Sequence, residues 1–114
     1  MGAMRIEVER RAGVAVLHLR GEVARGAATE LLRREVRELV AAGEATLVLD
    51  MLHVPWLDSS GLGEVFACCK RARSAGGVVK LVLQGKSRSL FTFTELHRVL
   101  EIFDDLDAAL ASFG

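Results

Sequence analysis

The chain has 114 residues, 51% of them hydrophobic, with fifteen basic and fifteen acidic side chains and no formal net charge. That is enough for a single domain with its own two-layer core. The even charge gives no electrostatic support for binding nucleic acid or a membrane surface, and no apolar stretch approaches the ~20 residues that cross a bilayer.

The N-terminus lacks the apolar core of a signal peptide, so a cytoplasmic location is the default expectation. Met1-Gly2-Ala3 ahead of Met4 is set aside as an appended or disordered leader, which leaves residues 4–114 as the domain. Arg5-Ile6-Glu7-Val8-Glu9-Arg10 alternates polar and apolar residues, the period of a half-buried strand. Arg11-Ala12-Gly13 supplies a turn, and Val14-Ala15-Val16-Leu17-His18-Leu19 a second strand, so the pair is expected as an antiparallel hairpin. His18 and Arg20 fall on the face opposite Leu17 and Leu19. A solvated or hydrogen-bonded sheet histidine explains His18, and neither His53 nor His97 stands at ligand spacing from it.

From residue 26 to 42 the apolar positions Ala28, Leu31, Leu32, Val36, Leu39 and Val40 outline an amphipathic helix. Its charged face includes a Glu30–Arg34 pair at four-residue spacing and reads as solvated surface. Gly43 suits the position just past the helix end. Thr46-Leu47-Val48-Leu49-Asp50 is the third strand, followed by a loop over 51–57 that holds the only Pro and the only Trp. Leu62, Val65, Phe66, Cys69 and Ala72 mark the apolar face of a second helix, roughly 60–74, with Asp58 or Ser59 as N-cap and Gly61 in its first turn. Cys68 and Cys69 are the only cysteines; on a helix one of them is expected in the core and the other at its edge, as small hydrophobes rather than a disulfide or metal site.

Ala75-Gly76-Gly77 breaks that helix. A fourth strand over 78–83, a short helix over 87–96, a fifth strand over 100–103 and a final helix capped by Asp104 or Asp105 follow. Strands alternating with helices after the hairpin predict parallel pairing with right-handed crossovers. The fold class is α/β, with a mixed, mainly parallel sheet of about five strands and about four helices.

Leu57-Asp58-Ser59-Ser60-Gly61-Leu62-Gly63 is the stretch with chemical content: two hydroxyls at the positive end of a helix dipole. Three familiar readings of such turns fail. Gly85-Lys86-Ser87 looks like the end of a phosphate-binding P-loop, but Lys80 stands where that loop needs glycine. Gly61-Leu62-Gly63 starts like a dinucleotide fingerprint, but position 66 is Phe and the turn follows the third strand. A hydrolase nucleophile elbow needs glycine at position 57, which is Leu, and only His97 lies downstream as a base. No catalytic residue, cofactor or metal ligand is assigned.

Asp58-Ser59-Ser60-Gly61-Leu62-Gly63, after a strand ending Leu47-Val48-Leu49-Asp50, strongly resembles the phosphorylation loop of STAS domains, the family of sulfate transporters and anti-sigma factor antagonists. Gly21-Glu22 after the second strand, the late strand at Leu100 to Phe103 and the following Asp107-Ala108-Ala109-Leu110 extend the likeness over nearly the whole chain. The resemblance implies a single STAS-like domain that is not an enzyme. It would bind an anti-sigma factor with serine kinase activity and so free a sigma factor for transcription. It would release that partner when phosphorylated, and a serine phosphatase would reset it. It also implies Ser59 as acceptor, with Ser60 as second choice. The partner-binding set expected here is Glu22, Trp56, Asp58, Ser59, Ser60, Gly61, Leu62 and Gly63, in a monomer or weak homodimer.

A phosphoserine adds about −1.5 to −2 charges, tolerated at a helix N-terminus but costly in an interface. Gly61 and Gly63 are expected to let a partner's backbone approach, and Trp56 is either a core aromatic or an exposed anchor. Phosphorylated members of the family often carry Asp where this chain has Ala24, so that acidic group is not carried over. The alternative implied by the same fold is a scaffold of a stress-signalling assembly, or a regulatory partner of an ABC lipid-transport ATPase.

Overall fold

The computed structural model describes residues 4–24 and 26–113; the leader at residues 1–3 lies outside them. Strands β1 (Arg5–Arg11) and β2 (Val14–Arg20) form the antiparallel hairpin, in register from Arg5 opposite Arg20 to Arg11 opposite Val14. Ala12 and Gly13 close it with φ of 52° and 82°. Two successive left-handed residues give the turn whose twist matches that of the strands.

The chain then crosses through α1 (Ala27–Ala41) to β3 (Thr46–His53), through α2 (Ser59–Ser74) to β4 (Val78–Val82), and through α3 (Gly85–Phe93) to β5 (Glu101–Phe103). All pairings after the hairpin are parallel, and the sheet order β1-β2-β3-β4-β5 follows the sequence. A final helix, α4 (Leu106–Ala111), packs back on the sheet with Asp105 as its cap, its carboxylate accepting the Ala108 N–H at 2.7 Å.

Strand alternation sends side chains to two unequal cores. Leu17 and Leu19, Leu47, Leu49 and Met51, and Val79 and Leu81 meet Leu32, Val36 and Leu39 of α1, Val65, Cys68 and Ala72 of α2, and Phe91 of α3. On the other face a smaller cluster of Val14, Val16, Val48 and Val82 lies under Ala109, with Leu106, Leu110 and Phe113 packed around it. Lys80 points into this second core and is buried. Its Nζ donates to the Ser112 hydroxyl at 2.7 Å and the Ser112 carbonyl at 3.2 Å, and sits 4.2 Å from the centre of the Phe113 ring. It thereby pins the C-terminal end of α4 to the sheet.

The helix end at Gly43 (φ 87°) is as expected, with Glu44 N–H reaching back to the Leu39 carbonyl at 2.8 Å and Gly43 N–H to that of Val40 at 3.0 Å. Four expectations need correction. The third strand runs on through Met51, Leu52 and His53, because His53 still pairs with Arg20 across a register shift. Both cysteines are buried, at 0% and 4% exposure, since α2 is covered by both α1 and β4. For the same reason the buried face of α2 is Gly61, Glu64, Val65, Cys68, Cys69 and Ala72, while Leu62 and Phe66 are only partly covered. The third helix starts two residues earlier and stops at Phe93, where Glu95 turns left-handed (φ 62°) into one 3₁₀ turn at Leu96–Arg98.

Candidate functional site

The serine stretch is built where β2 and β3 leave the sheet side by side. Gly21 N–H donates to the His53 carbonyl at 3.1 Å, Val23 N–H to Trp56 at 3.1 Å, and Asp58 N–H to Val23 at 3.3 Å. Val23 and Leu57 form a parallel bridge, and both side chains are buried. Residues 21–24 and 54–58 are therefore zipped together at the carboxyl ends of the strands, the end where open α/β sheets carry their sites.

Helix α2 springs from this zipper. Asp58 is extended (φ −95°, ψ −175°), and its Oδ1 accepts the Gly61 N–H at 2.8 Å. The Asp58 carbonyl accepts the Leu62 N–H at 2.9 Å. Of the two expected caps, the aspartate holds the position, so capping α2 asks nothing of either serine hydroxyl. Ser59 and Ser60 occupy the first two helical positions, both exposed, in the positive field of the helix terminus.

The two glycines differ. A Cβ on Gly61 would lie 2.1 Å from the Val23 carbonyl oxygen, whereas one on Gly63 would meet nothing within 4 Å. Gly61 is buried and serves the docking of α2 on the zipper, which corrects its assignment as a place for a partner's backbone; Gly63 is exposed.

Glu22 is exposed beside this turn, Leu62 is half-buried, and Ala24 follows Val23 directly. Trp56 is 52% exposed, so it is a surface aromatic and not a core one. With Pro55, Leu57, Lys86, Ser87 and Leu90 it lines a shallow groove of about 200 Å³. Ser87 itself is buried and donates to the Val54 carbonyl at 3.3 Å, so the Gly85-Lys86-Ser87 turn uses its hydroxyl to hold the loop after β3.

One ion pair of this region was not foreseen. Glu64, buried at 6% exposure on α2, accepts from Nε and Nη2 of Arg33 on α1 at 3.0 and 2.8 Å, and from the Cys68 thiol at 3.5 Å. Its signal in the sequence was a carboxylate set among the residues 61, 65, 68 and 72 that recur at helical spacing. Burial pushes the Cys69 thiol up to about 12, and burial together with Glu64 pushes Cys68 higher still, so neither is a nucleophile. Among the described residues no three His, Cys, Asp or Glu side chains are grouped to hold a metal ion, and no helix is long and apolar enough to cross a membrane.

The family model for the STAS domain matches residues 5–109. An anti-sigma factor antagonist from Mycobacterium paratuberculosis is 27% identical, superposes with a TM-score of 0.85 and aligns over 96% of this chain and 93% of its own. The Thermotoga maritima protein TM1081 is 23% identical, with a TM-score of 0.86 over 94% of this chain and 92% of that one. The Bacillus protein SpoIIAA is 20% identical in both its forms. The unphosphorylated form matches at TM-score 0.72 over 95% of this chain and 96% of that one, the phosphorylated form at 0.74 over 96% and 100%. Fold, family model and the carboxyl-end serine turn agree: this chain belongs to the STAS domain family and resembles its anti-sigma factor antagonists.

Proposed function

We propose that this domain is an anti-sigma factor antagonist, a binding module switched by phosphorylation of Ser59 rather than an enzyme. The observation that carries the reading is the division of labour at the start of α2. Asp58 caps the helix and leaves Ser59 exposed beside it, so a kinase reaches the hydroxyl without dismantling the cap. The unmodified face (Glu22, Trp56, Ser59, Ser60, Leu62 and Gly63 around the Asp58 cap) binds an anti-sigma factor with serine kinase activity and so releases the sigma factor. Trp56 and its groove supply the apolar anchor of that contact.

Phosphate on Ser59 brings about −1.5 to −2 charges to the centre of this face. Within the domain the charge lies at a helix N-terminus, where it is welcome, so the fold is kept while the partner is repelled. A similar match to both forms of SpoIIAA supports a fold that tolerates phosphate. A cost of about 1.4 kcal/mol in the complex already weakens binding tenfold. A serine phosphatase resets the domain, which works in the cytoplasm as a monomer or weak homodimer.

The test is phosphate transfer from the cognate kinase to the intact domain. Ser59→Ala abolishes labelling while Ser60→Ala retains it; equal labelling of Ser59→Ala and the parent refutes the assignment.

Ala24 favours a second reading. It continues directly from Val23, which is zipped to Asp58, yet brings no acidic group to the turn. The same face would then dock constitutively, as a scaffold subunit or on an ABC ATPase. A large homo-assembly by light scattering, or recovery of that ATPase in place of an anti-sigma factor, supports this second reading against the first.

A further inference from the structure

Away from the serine turn, the α4 side of the sheet carries one chain of titratable groups across three strands. His18 on β2 has Nε2 at 2.8 Å from Oε1 of Glu9 on β1, and Nδ1 at 2.8 Å from Oδ2 of Asp50 on β3. The Asp50 side chain is 10% exposed, the imidazole 21% and Glu9 42%. The second oxygen of Asp50 accepts the Leu52 N–H at 3.2 Å.

Ionised carboxylates only accept hydrogen bonds, so both contacts are satisfied only if the ring donates from both nitrogens, as imidazolium. A neutral ring has one N–H and would set a lone pair against one of the two carboxylates. Burial opposes the charge on His18, but the hydrogen bonds and charges of Glu9 and Asp50 together outweigh it and hold the ring above the ordinary histidine value. The His18 bond, helped by Arg11, holds the Glu9 carboxyl below its own.

The other charged neighbours are already engaged. Glu7, across from His18, lies 3.6 Å from Arg20. Arg11 lies 2.9 Å from Glu9. Lys80, two strands away on the same face, is held by Ser112 and lies 3.4 Å from Glu101. The residues that α4 packs over this face, Leu106, Ala109, Leu110 and Phe113, are apolar.

We propose that Glu9, His18 and Asp50 form a protonation-dependent clamp that fastens the edge strand β1 to β2 and β3 and opens on the β1 side when the ring loses its proton. The remaining N–H stays with Asp50, because a buried carboxylate without a donor costs more than an exposed one. Glu9 turns to water and Arg11, and the edge strand loses its side-chain tie to His18.

The sign follows from the raised folded-state value. The stabilisation is fully present below the ordinary histidine pKa of about 6.5 and is lost as pH rises through the folded one. Each unit of elevation is a tenfold change in the equilibrium for opening. The clamp is independent of whether Ser59 accepts phosphate.

The experiment is an NMR titration of the His18 ring protons together with amide exchange on the whole domain from about pH 5.5 to 8.5, corrected for intrinsic rates. His18 is expected to titrate above 6.5. Over the same step, protection of the β1–β2 amides falls about tenfold per unit of elevation while the β3–β4 amides hold theirs. His18→Gln abolishes the step. Glu9→Gln, a change at a partly exposed side chain that tests the clamp should His18→Gln fold poorly, lowers the His18 titration point and flattens the β1 response. A ring that titrates at or below 6.5, a step that survives in either variant, or a loss of protection spread evenly over the sheet overturns the proposal.

Discussion

Gly61→Ala is the sharpest perturbation of the site. The new Cβ would lie 2.1 Å from the Val23 carbonyl oxygen, 2.9 Å from its carbon and 3.1 Å from Val23 Cγ1. Ordinary contact begins at 3.4 Å, so backbone must move against backbone. The first casualty is the Asp58 N–H bond to that same carbonyl, already long at 3.3 Å and worth about 1 kcal/mol. Overpacking a fitted site costs roughly 1–3 kcal/mol more, and the better helix propensity of alanine returns at most about 1 kcal/mol. The net expectation is a loss of about 2 kcal/mol, or roughly 8 °C in Tm for a domain of this size. Gly63→Ala, the same substitution in the same helix, meets nothing within 4 Å and gains about 0.5–1 kcal/mol through the unfolded state. Urea denaturation followed by circular dichroism reads both. Two variants of equal stability would refute the claim that Val23 and Gly61 seat α2.

Removing the cap with Asp58→Ala frees the Gly61 N–H and is expected to cost about 1 kcal/mol in the same denaturation assay. Arg33→Met strands the buried Glu64 carboxylate and is expected to lower the urea midpoint, much of the loss being recovered in the double variant with Glu64→Met; a cycle with zero coupling would show that the pair holds nothing. Both thiols are buried with pKa values pushed far up, so an aromatic disulfide reagent at pH 8 should label neither in the native domain and two per chain in denaturant.

The hairpin, the parallel crossovers and the serine turn were all legible in the sequence because each is written locally. Alternation marks the hairpin strands, Ala12-Gly13 marks their turn, and a hydroxyl-rich segment between a strand and a helix marks the site. What the sequence did not show depends on atoms brought in from elsewhere in the chain. The third strand outran its apolar pattern because His53 finds Arg20 on its neighbour. Glu64 was hidden because its partner, Arg33, sat among charges read as a solvated face. His18 was expected to be solvated or hydrogen-bonded, but only the folded sheet brings Glu9 and Asp50 to it, two carboxylates that hold the ring above the ordinary histidine value. The two glycines of the serine turn make the same point at the site itself. Two residues apart in the motif they look alike, and the sequence alone assigns both to a partner's approach. The Val23 carbonyl separates them, since it lies against one and not the other. Gly61 is a requirement of the fold, whereas Gly63 is exposed with open space beside it. In this site, then, the motif marks where the exposed serines lie, while the zipper between residues 21–24 and 54–58 decides which of its atoms face outward.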